Sequence, residues 1–451
     1  MQQPVAAQEN CSPRALDDQS LSSESSPMGS FRVLAESLEH VRLFPAKRMV
    51  YARLVLAAMA AIIVAKSFWF GRWGGWASRE LADFDAFHIV AQRVWIGDLE
   101  QVYHFETLLK MQAAVAGAAP SFMPWTYPPQ YGLLIAPFAF LPVGVGYLLF
   151  TASTLAFYIA TLRALARDHF AHVLVVLFPA LSVTIGCGQN GFLTAGLIGL
   201  ICLNIERRPL LAGIALGVMV IKPHLVIAVS VCLLAMRSWV ALAAAAAVVL
   251  ASSLVCTILF GWQIWIAWLG AIRESTSYLE QGLYPLFRMI SAYAALSTTG
   301  FSPKVAFWGQ VVVAALALLA VMLTVFLVAT RGFSQRFLLG TATIVSAMIS
   351  PYAYDYDLSM LGVGLALLLP ELGKVASPTE RSAIYALILL AGGYGLLQSA
   401  RLAMEFGQRV DLNEHFAPAI AGFAMMTVLA LLLKMLWRAA WPALVPPRAA
   451  K

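Results

Sequence analysis

Two aspartates, Asp83 and Asp85, stand two residues apart in the stretch 81–98, LADFDAFHIVAQRVWIGD. A carboxylate can take the proton of an attacking hydroxyl if burial or neighbours bring its pKa toward the working pH. Two carboxylates this close can also ligate a divalent cation, because hard ions prefer carboxylate oxygens. Asp83 equally suits a helix N-cap ahead of the apolar run that follows. In that run Phe84, Phe87, Ala91 and Val94 recur at spacings of three and four, on one face of a helix. The expected helix lies in a membrane interface, with Trp95 as an anchor.

Four further clusters carry polar chemistry. Gly188-Gln189-Asn190-Gly191 breaks an apolar run. It is either a simple polar turn or a place where glycines bring the backbone close to a ligand while Gln189 and Asn190 bond hydroxyls such as those of a sugar. Lys222-Pro223-His224 separates two short apolar segments. The lysine either snorkels to the interface or offers a point charge to a phosphate, with His224 beside it and Arg288 and Arg401 as further phosphate ligands. Tyr352 to Asp357 reads YAYDYD. Tyrosines at a span boundary are commonly belt residues, whereas Asp355 and Asp357 would orient the cations or, with Tyr354, bind sugar hydroxyls. Tyr127, ahead of Pro128-Pro129, is another candidate for sugar or acceptor contact.

Composition says what must position these groups. Of 451 residues, 61% are hydrophobic and 12% charged, with a mean hydropathy of +0.78. Soluble domains carry roughly 25% charged residues. The fold class expected is an all-α polytopic membrane protein. The net charge of +7 is scattered between apolar runs, which argues against nucleic-acid binding. None of the five cysteines is spaced as CxxC or set beside histidines at metal-ligand spacing, which argues against a disulfide framework or a zinc site. No cleavable signal peptide opens the chain, and residues 1–45 read as a disordered cytoplasmic tail.

Arg42, Lys47, Arg48 and Arg53 precede the first apolar run, so the positive-inside rule places the N-terminus in the cytoplasm. Alternating apolar runs and basic connections then give about twelve spans, from about 50–70 to about 416–433, with both termini cytoplasmic. The runs at 192–205, 209–221 and 225–235 are short for spans, which points to tilted or partly re-entrant segments. The integral membrane domain is 46–438, followed by a cytoplasmic tail, 439–451. Two long external loops are expected, about 71–144 and about 262–305. In the first, the run 130–141 is interrupted by Pro137 and is too short to span at about 20 residues per crossing, so it reads as a juxtamembrane helix. On this parity the unusual polar clusters all face outward, as one site assembled from several loops. A transporter or flippase of lipid-linked saccharides is the alternative, although no repeat of matched interrupted helices is evident. A non-catalytic scaffold is the third reading.

Taken in order, the motifs resemble glycosyltransferase family 87. The resemblance is carried by Asp83-Phe84-x-x-Phe87 with Gly97 and Tyr103, and by Tyr127-Pro128-Pro129 leading to Pro137 and Leu141-Pro142. It continues through Gly188-Gln189-Asn190-Gly191-Phe192, Arg207-Arg208-Pro209, Ala212-Gly213, Lys222-Pro223 and Tyr354-x-Tyr356-Asp357, over about residues 50–435. It implies a GT-C-type bundle in the cell (inner) membrane whose first external loop carries the catalytic acid. It also implies inverting transfer of a hexose, usually mannose, from a polyprenyl-phosphate sugar to a lipid or glycan acceptor, as in the family's alpha-(1,2)-mannosyltransferases. The family's catalytic aspartate maps onto Asp83. Asp85 occupies a variable position and is the secondary candidate, and His88 stands where the family often has an aromatic residue. Basic side chains can neutralise one phosphate, so no cofactor is required by this scheme; a divalent cation at Asp83 and Asp85 is the other option.

Overall fold

The computed structural model describes residues 45–71, 81–116, 123–406 and 417–444. Of the tail expected at 1–45 only Pro45 is described, whereas 439–444 of the tail expected at 439–451 continue the last helix and the rest lies outside the described residues. Helices α1 (Pro45–Gly71), α2 (Asp83–Ile96), α3 (Phe105–Ala116) and α4 (Pro129–Ile135) come first. Then follow α5 (Val143–Ala166), α6 (Phe170–Cys187), α7 (Gly191–Asn204), α8 (Pro209–Val218), α9 (Ile227–Ala235) and α10 (Trp239–Phe260). The chain continues with α11 (Gln263–Glu280), α12 (Ala292–Ser297), α13 (Pro303–Arg331) and α14 (Gln335–Ser346). It ends with α15 (Met360–Leu372), α16 (Pro378–Phe406) and α17 (Ile420–Leu444). Among the described residues strand-type pairing is limited to one antiparallel bridge, Met289 to Tyr354.

Six segments among the described residues are long and apolar enough to cross a membrane: Met49–Gly71, Val143–Cys187, Trp239–Phe260, Pro303–Arg331, Pro378–Leu402 and Ile420–Trp441. The second holds two helices, α5 and α6, parted by a 3-10 turn at Arg167–His169 where Arg167 takes φ 47°. The protein is therefore an all-α polytopic membrane protein, with fewer full-length crossing segments than the twelve spans expected. The difference lies in five short helices. Helices α7, α8, α9, α14 and α15 have 14, 10, 9, 12 and 13 residues. At 1.5 Å per residue they are about 14–21 Å long, against a hydrocarbon core of about 30 Å.

Of these short helices, α15 lies at the centre of the bundle, whereas α8 and α9 keep Leu210, Ile214, Ile227 and Leu234 exposed. Helix α15 packs against α5, α6, α7 and α14, and Met360, Leu361, Val363, Leu365, Ala366, Leu367 and Leu368 are all buried. A helix apolar on every side is stable only when surrounded, and this one is. Helices α10 and α13 lie outside, with Leu250, Leu254, Ile258, Phe307, Trp308 and Met322 exposed, as lipid-facing residues would be.

Both expected external loops prove to be helical. The first holds α2, a 3-10 turn at Leu99–Tyr103, α3, α4 and a 3-10 turn at Ala136–Phe140, so Pro137 divides the run 130–141 as its lack of an N–H requires. The second holds α11, whose buried face (Ile264, Ala271, Ser275, Leu279) repeats at helical spacing, a 3-10 turn at Leu286–Arg288 and α12.

Candidate active site

The start of α2 separates the two aspartates. The N-cap is Ala82, in extended conformation (φ −115°, ψ 171°), and Asp83 is the first helical residue. Asp85 accepts the Ala82 backbone N–H at 2.9 Å and is buried. Capping thus falls to Asp85, two residues later than the cap position expected, because its side chain reaches back over the first turn. Asp83, half-buried, instead accepts a hydrogen bond from Gln189 Nε2 at 2.8 Å.

Aromatic packing pins α2. Phe84 meets Phe70, Tyr147 and Phe150 with ring centroids 5.7–5.8 Å apart. Phe87 meets Tyr131 at 5.1 Å and Tyr127 at 5.8 Å. His88 donates from Nε2 to the Leu141 carbonyl at 2.9 Å, and Trp95 donates from Nε1 to the Ala136 carbonyl at 2.7 Å. Phe84 to Ala91 are buried on every side, so only the last turn, with Trp95 58% exposed, keeps the interfacial character expected of the whole helix.

The break at 188–191 joins α6 to α7. Gly188 ends α6 at φ 68°, and a Cβ there would meet the Phe84 Cβ at 2.7 Å. Glycine is needed twice over, for the left-handed backbone and for the approach of α2. At Gly191 a Cβ would run into the Tyr356 carbonyl. The turn therefore touches the Asp83 helix at one end and the YAYDYD segment at the other. Between them, Gln189 Oε1 accepts from the Tyr127 hydroxyl and from the Asn190 backbone N–H, each at 3.0 Å. That fixes which way its amide points, leaving Nε2 for Asp83. Asn190 is fully buried beside the Tyr131 hydroxyl, and among the described residues its amide atoms make no other hydrogen bond.

Two buried ion pairs complete the cluster. Lys222 Nζ lies 2.7 Å from Asp357 Oδ1. The other Asp357 oxygen accepts the Tyr354 N–H at 3.2 Å. Arg288 grips Asp355 with two bonds, Nε to Oδ2 at 3.1 Å and Nη2 to Oδ1 at 2.9 Å, the two-point geometry that suits a guanidinium. Arg288 Nη2 also reaches Cys187 Sγ at 3.2 Å. The two acids of YAYDYD thus orient the cations, one of the two roles their types allowed. The Met289–Tyr354 bridge and the Ile290 N–H to the Ala353 carbonyl (2.9 Å) hold the Arg288 segment against this stretch.

Electrostatics follow from burial. Burial works against the Lys222 ammonium, but Asp357 overrides it and holds the group above its ordinary value. Burial likewise opposes the Arg288 charge, and Asp355 holds the guanidinium well above its ordinary value. Burial pushes the Asp355 carboxyl up, with Arg288 pulling it back. The Asp83 charge bears on Arg288, Tyr354 and Tyr356, so this carboxylate and the Arg288 guanidinium share one electrostatic environment.

Two of the expected phosphate ligands are placed differently. Burial pushes the His224 imidazole down to about 4; Asp357 opposes this and Lys222 adds to it. At neutral pH His224 is uncharged and offers a hydrogen bond rather than a positive charge. Arg401 is exposed on α16, 2.8 Å from Glu405 Oε1 one turn away, and takes no part in the cluster. Cys187 and Tyr131 join the cluster without having been singled out, and Tyr356 joins it from a motif in which it was given no role. Tyr356 had a signal, its place between two aspartates; the other two had none. Among the described residues no group of three or more His, Cys, Asp or Glu side chains is gathered as a metal ion would need.

A model of glycosyltransferase family 87 matches residues 125–351, just over half of the chain. No curated protein and no solved structure matches. The matched region spans Tyr127, the Gln189-Asn190 turn, Lys222 and Arg288, and stops short of Asp83 and of Tyr354 to Asp357. An all-α membrane bundle with a recessed cluster of cations and carboxylates is consistent with that match, and the chain belongs to glycosyltransferase family 87.

Proposed function

We propose that the protein transfers a hexose, mannose in the family's usual chemistry, from a polyprenyl-phosphate sugar to a lipid or glycan acceptor, with inversion. The observation that carries this reading is the convergence of one half-buried carboxylate, Asp83, with a buried cation, Lys222, and a half-buried one, Arg288, through Gln189, Tyr127 and Tyr356. Asp83 takes the proton of the acceptor hydroxyl as that oxygen bonds to the anomeric carbon. The bond from that carbon to the phosphate oxygen breaks, and the phosphate leaves with the electron pair. Lys222 and Arg288 hold the developing charge, the electrostatic role that usually contributes most to catalysis. Gln189 holds Asp83 in place, and Asn190, whose buried amide has no partner beyond the Tyr131 hydroxyl among the described residues, is poised for a substrate hydroxyl. No metal is needed to balance these steps.

The external placement of the site, the twelve-span topology and the inner-membrane location belong to the same proposal. Their support is the direction of the short helices. Helices α7 and α15 start at the cluster and run to Arg207, Arg208 and Lys374, the side the positive-inside rule assigns to the cytoplasm.

The test is Asp83→Asn in the full-length protein supplied with polyprenyl-phosphate mannose and a lipid acceptor, with the product read by mass. A drop of about 10²–10⁴ in kcat is expected for loss of a general base. Transfer at the wild-type rate removes Asp83 from that role.

A further inference from the structure

Lys222 and Arg288 lie on different elements, far apart in the chain, yet share one neighbour. Lys222 Nζ stands over the Tyr356 ring at 4.8 Å from its centroid, and Arg288 Cζ at 5.9 Å. The ring is firmly held. Its residue's carbonyl accepts from Thr184 Oγ1 at 3.0 Å and fills the space left by Gly191. Tyr354 stacks on it nearly parallel, at 5.2 Å and 13°. On either side of it in the chain, Asp355 takes Arg288 and Asp357 takes Lys222. The electron-rich face of an aromatic ring attracts cations most strongly where water is excluded, and Tyr356 is buried. Each cation has a carboxylate of its own, and the Tyr356 ring is a neighbour that both share.

We propose that Tyr356 is a positioning residue: its ring is the common platform that holds Lys222 and Arg288 as the two sides of one seat for a single lipid-linked phosphate. The inference deepens the glycosyltransferase reading, since the seat receives the donor's phosphate and keeps it after the sugar has left. The ring acts through the cations and has no bond to make or break.

The experiment uses the full-length protein in detergent with undecaprenyl phosphate as ligand, binding being read by thermal stabilisation. Inorganic phosphate in a parallel arm separates the headgroup from the tail. Residue 356 is replaced by phenylalanine and then by phenylalanines carrying one, two and three ring fluorines, which drain the face of the ring while nearly preserving its shape. Tyr356→Phe is expected to bind within about twofold of wild type, and the trifluoro ring about tenfold more weakly, with a graded fall between. Tyr356→Leu is expected to bind at least as weakly as the trifluoro ring. A flat fluorine series overturns the platform, as does a Tyr356→Phe variant as weak as Tyr356→Leu, which would move the effect to the hydroxyl. Absence of binding by the wild type overturns the seat itself. Binding with a graded series but no sugar transfer keeps the seat and removes the transferase reading, so the two failures are distinct.

Discussion

The two ends of the bundle use the same ion-pair chemistry under opposite conditions. At the end away from the cluster, Glu380 takes Arg438 at 2.8 Å and Lys434 at 3.2 Å, with those cations 51% and 64% exposed. Glu371 takes Lys374 at 3.3 Å, with the lysine 60% exposed, and also accepts from Ser334. At the other end, the side chains of Lys222 and Asp357 are 7% and 1% exposed and those of Arg288 and Asp355 19% and 0%. Exposed pairs contribute about 0–1 kcal/mol, because water screens them. A buried pair gains more attraction but loses hydration, and breaking one side of it costs about 3–5 kcal/mol. The wet end therefore suits orientation and anchoring. The dry end holds charge where it is costly, which on the proposed reading suits ligand binding rather than stability.

The largest expected effect tests that contrast directly. Lys222→Met should destabilise the protein by about 3–5 kcal/mol, because Asp357 is left buried and unpaired. Denaturant titration in detergent measures it, and Lys222→Met with Asp357→Leu should recover most of the loss. Equal stability of the single and double variants would mean that water reaches Asp357, making the two ends alike.

Next comes the pH dependence carried by His224. Its folded pKa, about 4, lies below its ordinary 6.5. The unfolded chain binds the proton more readily, so the contribution is complete above about pH 6.5 and is lost as pH falls toward 4. Wild type should lose stability over that window, and His224→Gln should flatten this part of the profile. An unchanged profile would assign the acid sensitivity elsewhere.

Asp85→Ala should cost about 0.5–2 kcal/mol through the lost cap, seen as a lower thermal midpoint. Its residual transfer should far exceed that of Asp83→Asn. If the two variants lost transfer equally, the division of labour between the aspartates would fail. Smallest of all, Lys374→Ala at the wet end should change stability by less than about 0.5 kcal/mol and leave transfer unchanged. A loss comparable with Lys222→Met would erase the contrast from the other side.

Parts of this arrangement were legible in the chain because they depend on local chemistry. Apolar runs bounded by Arg and Lys announce membrane helices whatever they pack against. Gly188 and Gly191 announce a tight junction, since no other residue fits their backbone and neighbours. Asp83, Gln189, Lys222 and Asp355 were visible as polar groups in apolar surroundings, where each is costly unless satisfied. Arg401 was visible in the same way, but its nearest carboxylate, Glu405, is one helical turn away, and a local pair leaves nothing for the site.

The sequence by itself determined an all-α membrane bundle, its basic and site-bearing ends, and the set of side chains able to do chemistry. Tertiary structure alone decided their pairing. Asp357 meets Lys222 and Asp355 meets Arg288 across 135 and 67 residues, separations that no periodicity encodes. It also decided that Asp85 caps while Asp83 faces Gln189, because the extended Ala82 turns one carboxylate back onto the helix and leaves the other at the cluster. Helix length is local; where a short helix ends inside a bundle depends on the neighbours that bury it.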